Sequence, residues 1–235
     1  MKNTTLLIIA ARIGSKRIPK KNVKNFNGRP IISYSLGLAK KLSFADKIHI
    51  STESKIISDI AEAEGIATDF FRPENLADDF STTIDVYKFV LEQYHQLGLL
   101  FSSICVLSPC APLLEIESLE SAFKLFKKQK FQNPVVAVTE CDSSGENSFN
   151  ISQFIQYNKN NDLLSRSQDI QKKYKHSGAF AFFPATVLLS PGTDALFSKV
   201  IPFELSKLDH IDIDEDEDWF LTEALFEKKN SSQSK

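Results

Sequence analysis

The chain has 235 residues, 42% of them hydrophobic and 25% charged, a balance that suits one sizeable folded domain, with or without a small insertion, and excludes a disordered polymer. Its 28 Lys and Arg against 30 Asp and Glu leave a formal net charge of −2, so bulk electrostatics offers no pull toward nucleic acid or an acidic membrane, and a phosphate site must be a local basic cluster. The three cysteines, Cys105, Cys110 and Cys141, have neither the pairing of a disulfide framework nor the spacing of a zinc site.

The apolar run at 6–11 is too short for a signal segment and meets charges at once, and no later stretch is long enough to span a bilayer. A reducing cytoplasm is therefore the expected home. Leu6, Leu7, Ile8 and Ile9 read as a strand buried on both faces. A basic loop follows, and Pro30 then opens a helix through Ile31, Tyr34, Leu38 and Leu42. Residues 48–52 read as the second strand, and Ser54 caps a helix carrying Ile57, Ile60 and Ala61 that Gly65 ends. A short strand at 67–71 precedes Arg72-Pro73. The stripe of Ile84, Tyr87, Leu91 and Tyr94 predicts a helix over 82–97. Residues 104–107 form the next buried strand, Ile116, Leu119, Phe123 and Phe126 mark a helix, and 135–138 a strand.

After Glu140 the periodicity loosens. Residues 141–175 mix Ser, Asn, Gln and Lys with scattered apolar positions (Phe149, Ile151, Phe154, Ile155) and read as an inserted arm. Strand-like sequence returns at 179–183, a last helix with Trp219 and Phe226 follows Asp214, and 230–235 reads as a flexible tail. Repeated βαβ units predict an α/β fold: a Rossmann-like, mostly parallel sheet with right-handed crossovers and helices on both faces. Residues 1–140 and 176–229 would build it, with 141–175 as a dimerisation arm, since the arm's apolar residues lack an evident partner within the chain. Ligands of such sheets bind beyond the carboxyl ends of the strands, which directs attention to the loops after Ile9, Thr52, Phe71 and Leu107.

Chemistry concentrates in those loops. Arg12, Lys16, Arg17, Lys20 and Lys21 crowd the first, where Gly14 and Ser15 leave room for backbone to approach a ligand. Such a cluster suits a triphosphate and the charge on a departing pyrophosphate, but taken alone it reads equally well as a solvated basic loop. It is neither a Walker A loop nor a GxGxxG turn. Thr82 or Thr83 opens a helix and can offer a hydroxyl to a ligand or simply cap that helix. In an extended HIDID segment, Asp212 and Asp214 share a face, and two hard oxygens suit Mg2+ or Mn2+. Glu215 to Asp218 read instead as favourable charges at a helix N-terminus. Taken alone, the polar run of Arg166, Ser167, Gln168 and Asp169 is a solvated loop.

Together, IIAARIGSKRIPKKN with NGRPII, RPENLADD, LSPCAP, RSQD with Tyr174 and SGAF, and IDID resemble the motifs of the acylneuraminate cytidylyltransferases, in the same order along the chain. Within them the RSQD and tyrosine elements look closest to the pseudaminic acid branch. Departures are Ala10 for a usual proline, Ser108 for a glutamine, Leu114 for an arginine, and Lys175-His176 for His-Asp. The resemblance implies a homodimeric enzyme that joins a nine-carbon nonulosonic acid, such as pseudaminic acid, to CMP from CTP, releasing pyrophosphate with the help of Mg2+ or Mn2+. It implies catalytic roles for Arg12, Lys21 and Asp214, and a nucleotide site of Ala11, Arg12, Gly14, Ser15, Lys16, Asn22, Arg72, Thr82 and Ser108. Arg166, Gln168 and Phe180 would meet the sugar, Asp212 and Asp214 the metal, and Asp78-Asp79 would fix their loop. N-acetylneuraminic, legionaminic and Kdo-type acids are the alternative substrates, and Lys21-Asn22 speaks against Kdo. A non-catalytic nucleotide-binding homologue would lack a cation or carboxylate, yet Arg12, Lys21, Asp212 and Asp214 are all present.

Overall fold

Leu6, Leu7, Ile8 and Ile9 have no exposed surface at all. A strand reaches that state only when helices cover both faces of its sheet. A computed structural model describes residues 3–78, 80–141, 172–190 and 199–233. In chain order it has β1 (Thr5–Ala10), β2 (Asn25–Phe26), β3 (Arg29–Pro30), α1 (Ile32–Ala39), β4 (Lys47–Ser51), α2 (Lys55–Ala63), α3 (Thr83–Gln96) and β5 (Ser103–Leu107). There follow α4 (Ile116–Lys128), β6 (Val135–Cys141), β7 (Lys173–Pro184), α5 (Ala185–Leu188), β8 (Ile201–Glu204) and α6 (Asp216–Gln233).

Among the described residues the main sheet runs β4-β1-β5-β7-β6-β8. β1 is parallel to β4 and β5, and β8 to β6; β7 alone runs antiparallel to both its neighbours. The two-residue side-chain period sorts each strand between two cores. Leu7, Ile9, Cys105 and Leu107 pack with Leu36 of α1, Ile57 of α2 and Phe126 of α4. Leu6, Ile8, Ile104 and Val106 pack with Val90 and Tyr94 of α3 and Leu188 of α5 on the opposite face. A third cluster joins Ile18, Phe26, Ile31 and Cys110 to Ile213 and Trp219. Phe26 meets Trp219 and Phe226 edge-on, with centroids 5.4 and 5.3 Å apart. This wedge holds the basic loop against the acidic turn before α6.

The α/β fold with a mostly parallel, doubly covered sheet is as expected, but three local expectations fail. Pro30 does not open a helix. Asn27 and Gly28 both have positive φ (44° and 91°), the requirement of a two-residue hairpin turn, so Pro30 ends in β3 and α1 starts at Ile32. Residues 67–71 form no strand; side chains tie them to β4, Asp69 to Lys47 (2.8 Å) and Phe70 to His49, and Arg72 N then donates to Thr52 O (2.8 Å). Nor are all crossovers of one hand. α1 and α4 lie on the same face, yet β1 leads to β4 toward one edge and β5 leads to β6 toward the other, so the two connections have opposite hands. The handedness preference is strongest between neighbouring strands, and here β7 fills the space between β5 and β6. β6 extends to Cys141 and β7 begins at Lys173, so both strands reach into 141–175, while 142–171, with Phe149, Ile151, Phe154 and Ile155, lie outside the described residues. α6 continues to Gln233. No described helix is long and apolar enough to cross a membrane.

Candidate active site

From β1 the chain crosses to β4 on one side; from β5 it crosses toward β6 on the other. Their carboxyl-end loops therefore part and leave a crevice. It is a cleft of about 520 Å3, lined by Arg12, Ser15, Lys16, Lys21, Arg72 and Asp214 among others. Four of these are cations. The expected clustering of charge is thus real in space as well as along the chain.

The basic loop is held by its backbone, which leaves most of its charged ends for the cleft. Ala11 N extends the β1–β4 pairing to Ser51 O (3.0 Å), and Ala11 itself is buried beneath the loop. Ile13 N donates to Glu53 Oε1 (2.7 Å), and the buried Asn22 donates from Nδ2 to Arg12 O (2.8 Å). Cys110 Sγ lies 3.2 Å from Asn22 Oδ1 and ties the loop after β5 to the same point. Burial pushes that thiol up to about 12, so it acts as a small neutral donor. Gly14 has open space where a Cβ would stand.

Arg12 Nη1 donates to Asp78 O at 2.7 Å. Asp78 in turn accepts from Ser81 N (2.7 Å) and Phe80 N (3.0 Å), bonds that hold its carboxyl below the usual range. It is a loop-fixing residue, as expected; Asp79 lies outside the described residues. Arg72 is buried and lines the cleft, its Nη2 2.9 Å from Glu53 Oε2. Thr82 forms a capping box with Asp85 at the start of α3: Asp85 N donates to Thr82 Oγ1 (3.2 Å) and Thr82 N to Asp85 Oδ2 (3.1 Å). Thr83, not Thr82, lines the cleft.

Across the cleft, Lys21 Nζ donates to Ile213 O and lies 3.6 Å from Asp214 Oδ1, while Arg17 Nη2 lies 2.7 Å from the same oxygen. Asp218 Oδ2 accepts from Asp214 N and Glu215 N, each at 2.9 Å, which secures the turn into α6. The Asp212 carboxylate lies over Gly178, whose φ is +74°; a Cβ there would stand 2.9 Å from Asp212 Oδ2. Burial, with the nearby Asp214 charge, raises the Asp212 carboxyl. Two carboxylates that repel each other fit a hard divalent cation. The described residues hold no cluster of three or more His, Cys, Asp or Glu able to bind a metal, and this pair offers two carboxylates. That suits Mg2+, which usually takes the rest of its shell from water and phosphate oxygens.

A smaller cavity of about 180 Å3 shares Ala10, Thr83 and Pro109 with the cleft and is walled by Ser108, His176, Gly178 and Phe180. Ser108 N donates to Ala179 O (2.8 Å) and Ser108 Oγ accepts from Cys110 N (3.2 Å). Burial, opposed by the nearby Asp212 charge, lowers the His176 pKa and so favours the neutral imidazole. Arg166 and Gln168 lie outside the described residues. Sequence reasoning missed Glu53 and the Asn22–Cys110 tie. The partners of Glu53, Ile13 and Arg72, lie 40 and 19 residues from it along the chain, beyond any periodic signal.

The chain matches the family model described as cytidylyltransferase over residues 6–230. It is 34% identical over 192 residues, 77% of this chain and 78% of the relative, to the pseudaminic acid cytidylyltransferase of Campylobacter jejuni. The CMP-N,N'-diacetyllegionaminic acid synthase of Legionella pneumophila is 34% identical over 122 residues, 52% of this chain and 53% of that protein. Among solved structures, a CMP:2-keto-3-deoxy-manno-octonic acid synthetase complexed with CTP superposes with a TM-score of 0.71, covering 97% of this chain and 100% of that one; at 14% identity this bears on the fold alone. The mostly parallel sheet, the cationic crevice at its carboxyl edge and a match over nearly the whole length agree, and the chain belongs to the cytidylyltransferase family.

Proposed function

We propose that this cytidylyltransferase makes a CMP-activated nonulosonic acid, with a pseudaminic-type acid as substrate. The observation that carries the reading is the facing of Arg12, Lys16 and Lys21 toward Asp214 across one cleft. A relative of that named activity, aligned over most of both chains, supports the sugar class.

The anomeric hydroxyl oxygen of the sugar acid attacks the α-phosphorus of CTP and gives up its proton to water. An O–P bond forms, the bond from that phosphorus to the bridging oxygen of the β-phosphate breaks, and pyrophosphate leaves with the electron pair. Negative charge moves onto the leaving group, where Lys16, Lys21 and Arg12 neutralise it. Arg12 reaches the phosphates by exchanging the Asp78 carbonyl for a phosphate oxygen, a change of acceptor without a change of backbone. In this reading Arg72, Thr83 and Ser108 meet the nucleotide and Phe180 the sugar; Arg72 and Thr83 line the cleft, and Ser108 and the buried Phe180 line the neighbouring cavity. Asp212 and Asp214 would hold Mg2+ or Mn2+, which when bound neutralises phosphate charge and acidifies the attacking hydroxyl.

The test is pyrophosphate release from CTP and Mg2+ with pseudaminic, legionaminic, N-acetylneuraminic and Kdo acids. Release with a nonulosonic acid supports the reading and names the sugar; release with Kdo alone overturns it. We also propose a homodimer built through residues 141–175, for which a monomer by light scattering would be the contrary result. The free, buried thiols of Cys105 and Cys110 favour a reducing compartment, the cytoplasm.

A further inference from the structure

We infer that Glu53 is a positioning residue for the nucleotide, one carboxylate that sets the phosphate-binding loop and the nucleoside-side arginine together; this rests on the reading of the cleft as a CTP site. Glu53 stands just beyond β4, on the carboxyl edge where the crevice opens. Its two oxygens are divided. Oε1 accepts the Ile13 amide at 2.7 Å, at the point where the basic loop leaves the sheet. Oε2 accepts Arg72 Nη2 at 2.9 Å. The Arg72 side chain is only 6% exposed and that of Glu53 17%, so water offers little replacement for either partner. Among the described residues Arg72 Nε has no hydrogen-bond partner, and Glu53 is the carboxylate seen paired with the guanidinium.

The position demands a group that accepts on both sides. A carboxylate does so; an amide cannot, because one of its two ends carries an NH2. Glu53→Gln therefore keeps the shape of the side chain but turns a donor toward either the Ile13 amide or the Arg72 guanidinium. A buried cation that loses its carboxylate moves or is destabilised. Displacement of Arg72 would weaken the grip on the nucleoside, and displacement of Ile13 would shift Gly14, Ser15 and Lys16 against the phosphates. Glu53 itself does not line the cleft, so its effect passes through these neighbours.

The experiment compares wild type, Glu53→Gln, Arg72→Met and the double variant. It reads binding of CTP, CMP and inorganic pyrophosphate by calorimetry, with melting temperature measured in parallel. Glu53→Gln should weaken CTP about tenfold or more, the loss expected when one charged hydrogen-bonded group is misplaced. CMP and pyrophosphate should each weaken, because one reports the nucleoside side and the other the loop. In the Arg72→Met background the added effect of Glu53→Gln on CMP should largely vanish, while that on pyrophosphate persists. Unchanged affinities with a lowered melting temperature would mean a structural role only and would overturn the inference. So would a loss confined to CMP, which would make Glu53 a partner of Arg72 alone. Where Glu53→Gln fails to fold, Glu53→Asp, which keeps the charge but is one methylene too short to span both donors, replaces it in every arm. If wild type binds no CTP, the reading of the cleft fails and the inference with it; if wild type binds and the variant matches it, only the role of Glu53 fails.

Discussion

Asp214 faces two cations before any ligand arrives, with Arg17 at 2.7 Å and Lys21 at 3.6 Å from the same oxygen. These contacts arrange the site so that charge can be traded when phosphates and metal enter. Asp214→Ala should lower pyrophosphate release by about two orders of magnitude or more, the scale for removing one preorganised electrostatic partner. CTP binding measured without metal should persist or tighten, since Arg17 and Lys21 are freed for phosphate. Loss of CTP binding in that assay would count against a metal role for Asp214. Gly178 offers a second residue-level test. Its φ of +74° strains any other residue, and a Cβ would press the Asp212 carboxylate. Gly178→Ala should cost about 1–3 kcal/mol of stability from the strained backbone. Turnover should fall further than that loss of folded protein explains, seen as lower kcat at saturating substrate in the folded fraction.

At the level of elements, the start of α3 separates structural from functional threonines. Thr82 is spent in the capping box with Asp85, so Thr82→Ala should cost about 1 kcal/mol of stability and leave KM for CTP within about twofold, as expected for loss of a cap. Thr83 lines the cleft, and Thr83→Val should raise KM for CTP with little change in melting temperature. The reverse pattern in steady-state kinetics would restore Thr82 as the ligand-facing residue. The Asn27-Gly28 turn plays a comparable part for the basic loop: by closing the β2–β3 hairpin it presents Phe26 to Trp219, and so places Lys21 beside Ile213.

Across the whole molecule, stability should depend on pH through a group far from the cleft. His49 is buried on β4 beside Tyr94, Asp69, Lys47 and Phe70; Tyr94 OH donates to Asp69 and lies 3.1 Å from His49 Nδ1. Burial lowers its pKa from 6.5 to about 4, against the opposing pull of Asp69. Above pH 6.5 the imidazole is neutral in folded and unfolded chains alike. Between about 6.5 and 4 the unfolded chain takes up a proton that the folded chain refuses, so stability falls as pH drops through that window. The full effect is on the order of 3 kcal/mol, at 1.36 kcal/mol per pKa unit. Urea midpoints should therefore decline from pH 7.5 to 5, and His49→Gln should make that decline shallower, the remainder belonging to His210, whose pKa burial also lowers to about 4; an equal slope in both proteins would assign it elsewhere.

Much of the fold was legible because its signals are local. A short run of consecutive apolar residues that ends in a charged loop reads as a strand covered on both faces, and the alternation of such runs with helical stripes points to a parallel sheet with ligands at its carboxyl edge. The order of the charged loops was legible for the same reason, and so was the gathering of Arg12, Lys16, Arg17 and Lys21 at one cleft, which Asp214 lines and Asp212 does not. What tertiary structure alone decided depends on contacts between distant residues. Thr82 is held as the cap by its local box with Asp85, and the way α3 lies against the sheet put Thr83 on the cleft. The turn at Asn27-Gly28 moved Pro30 out of the helix, and lack of a neighbouring strand left 67–71 without a ladder. Glu53 became the common partner of Ile13 and Arg72 only when β4 lay beside β1, a juxtaposition that no spacing along the chain encodes.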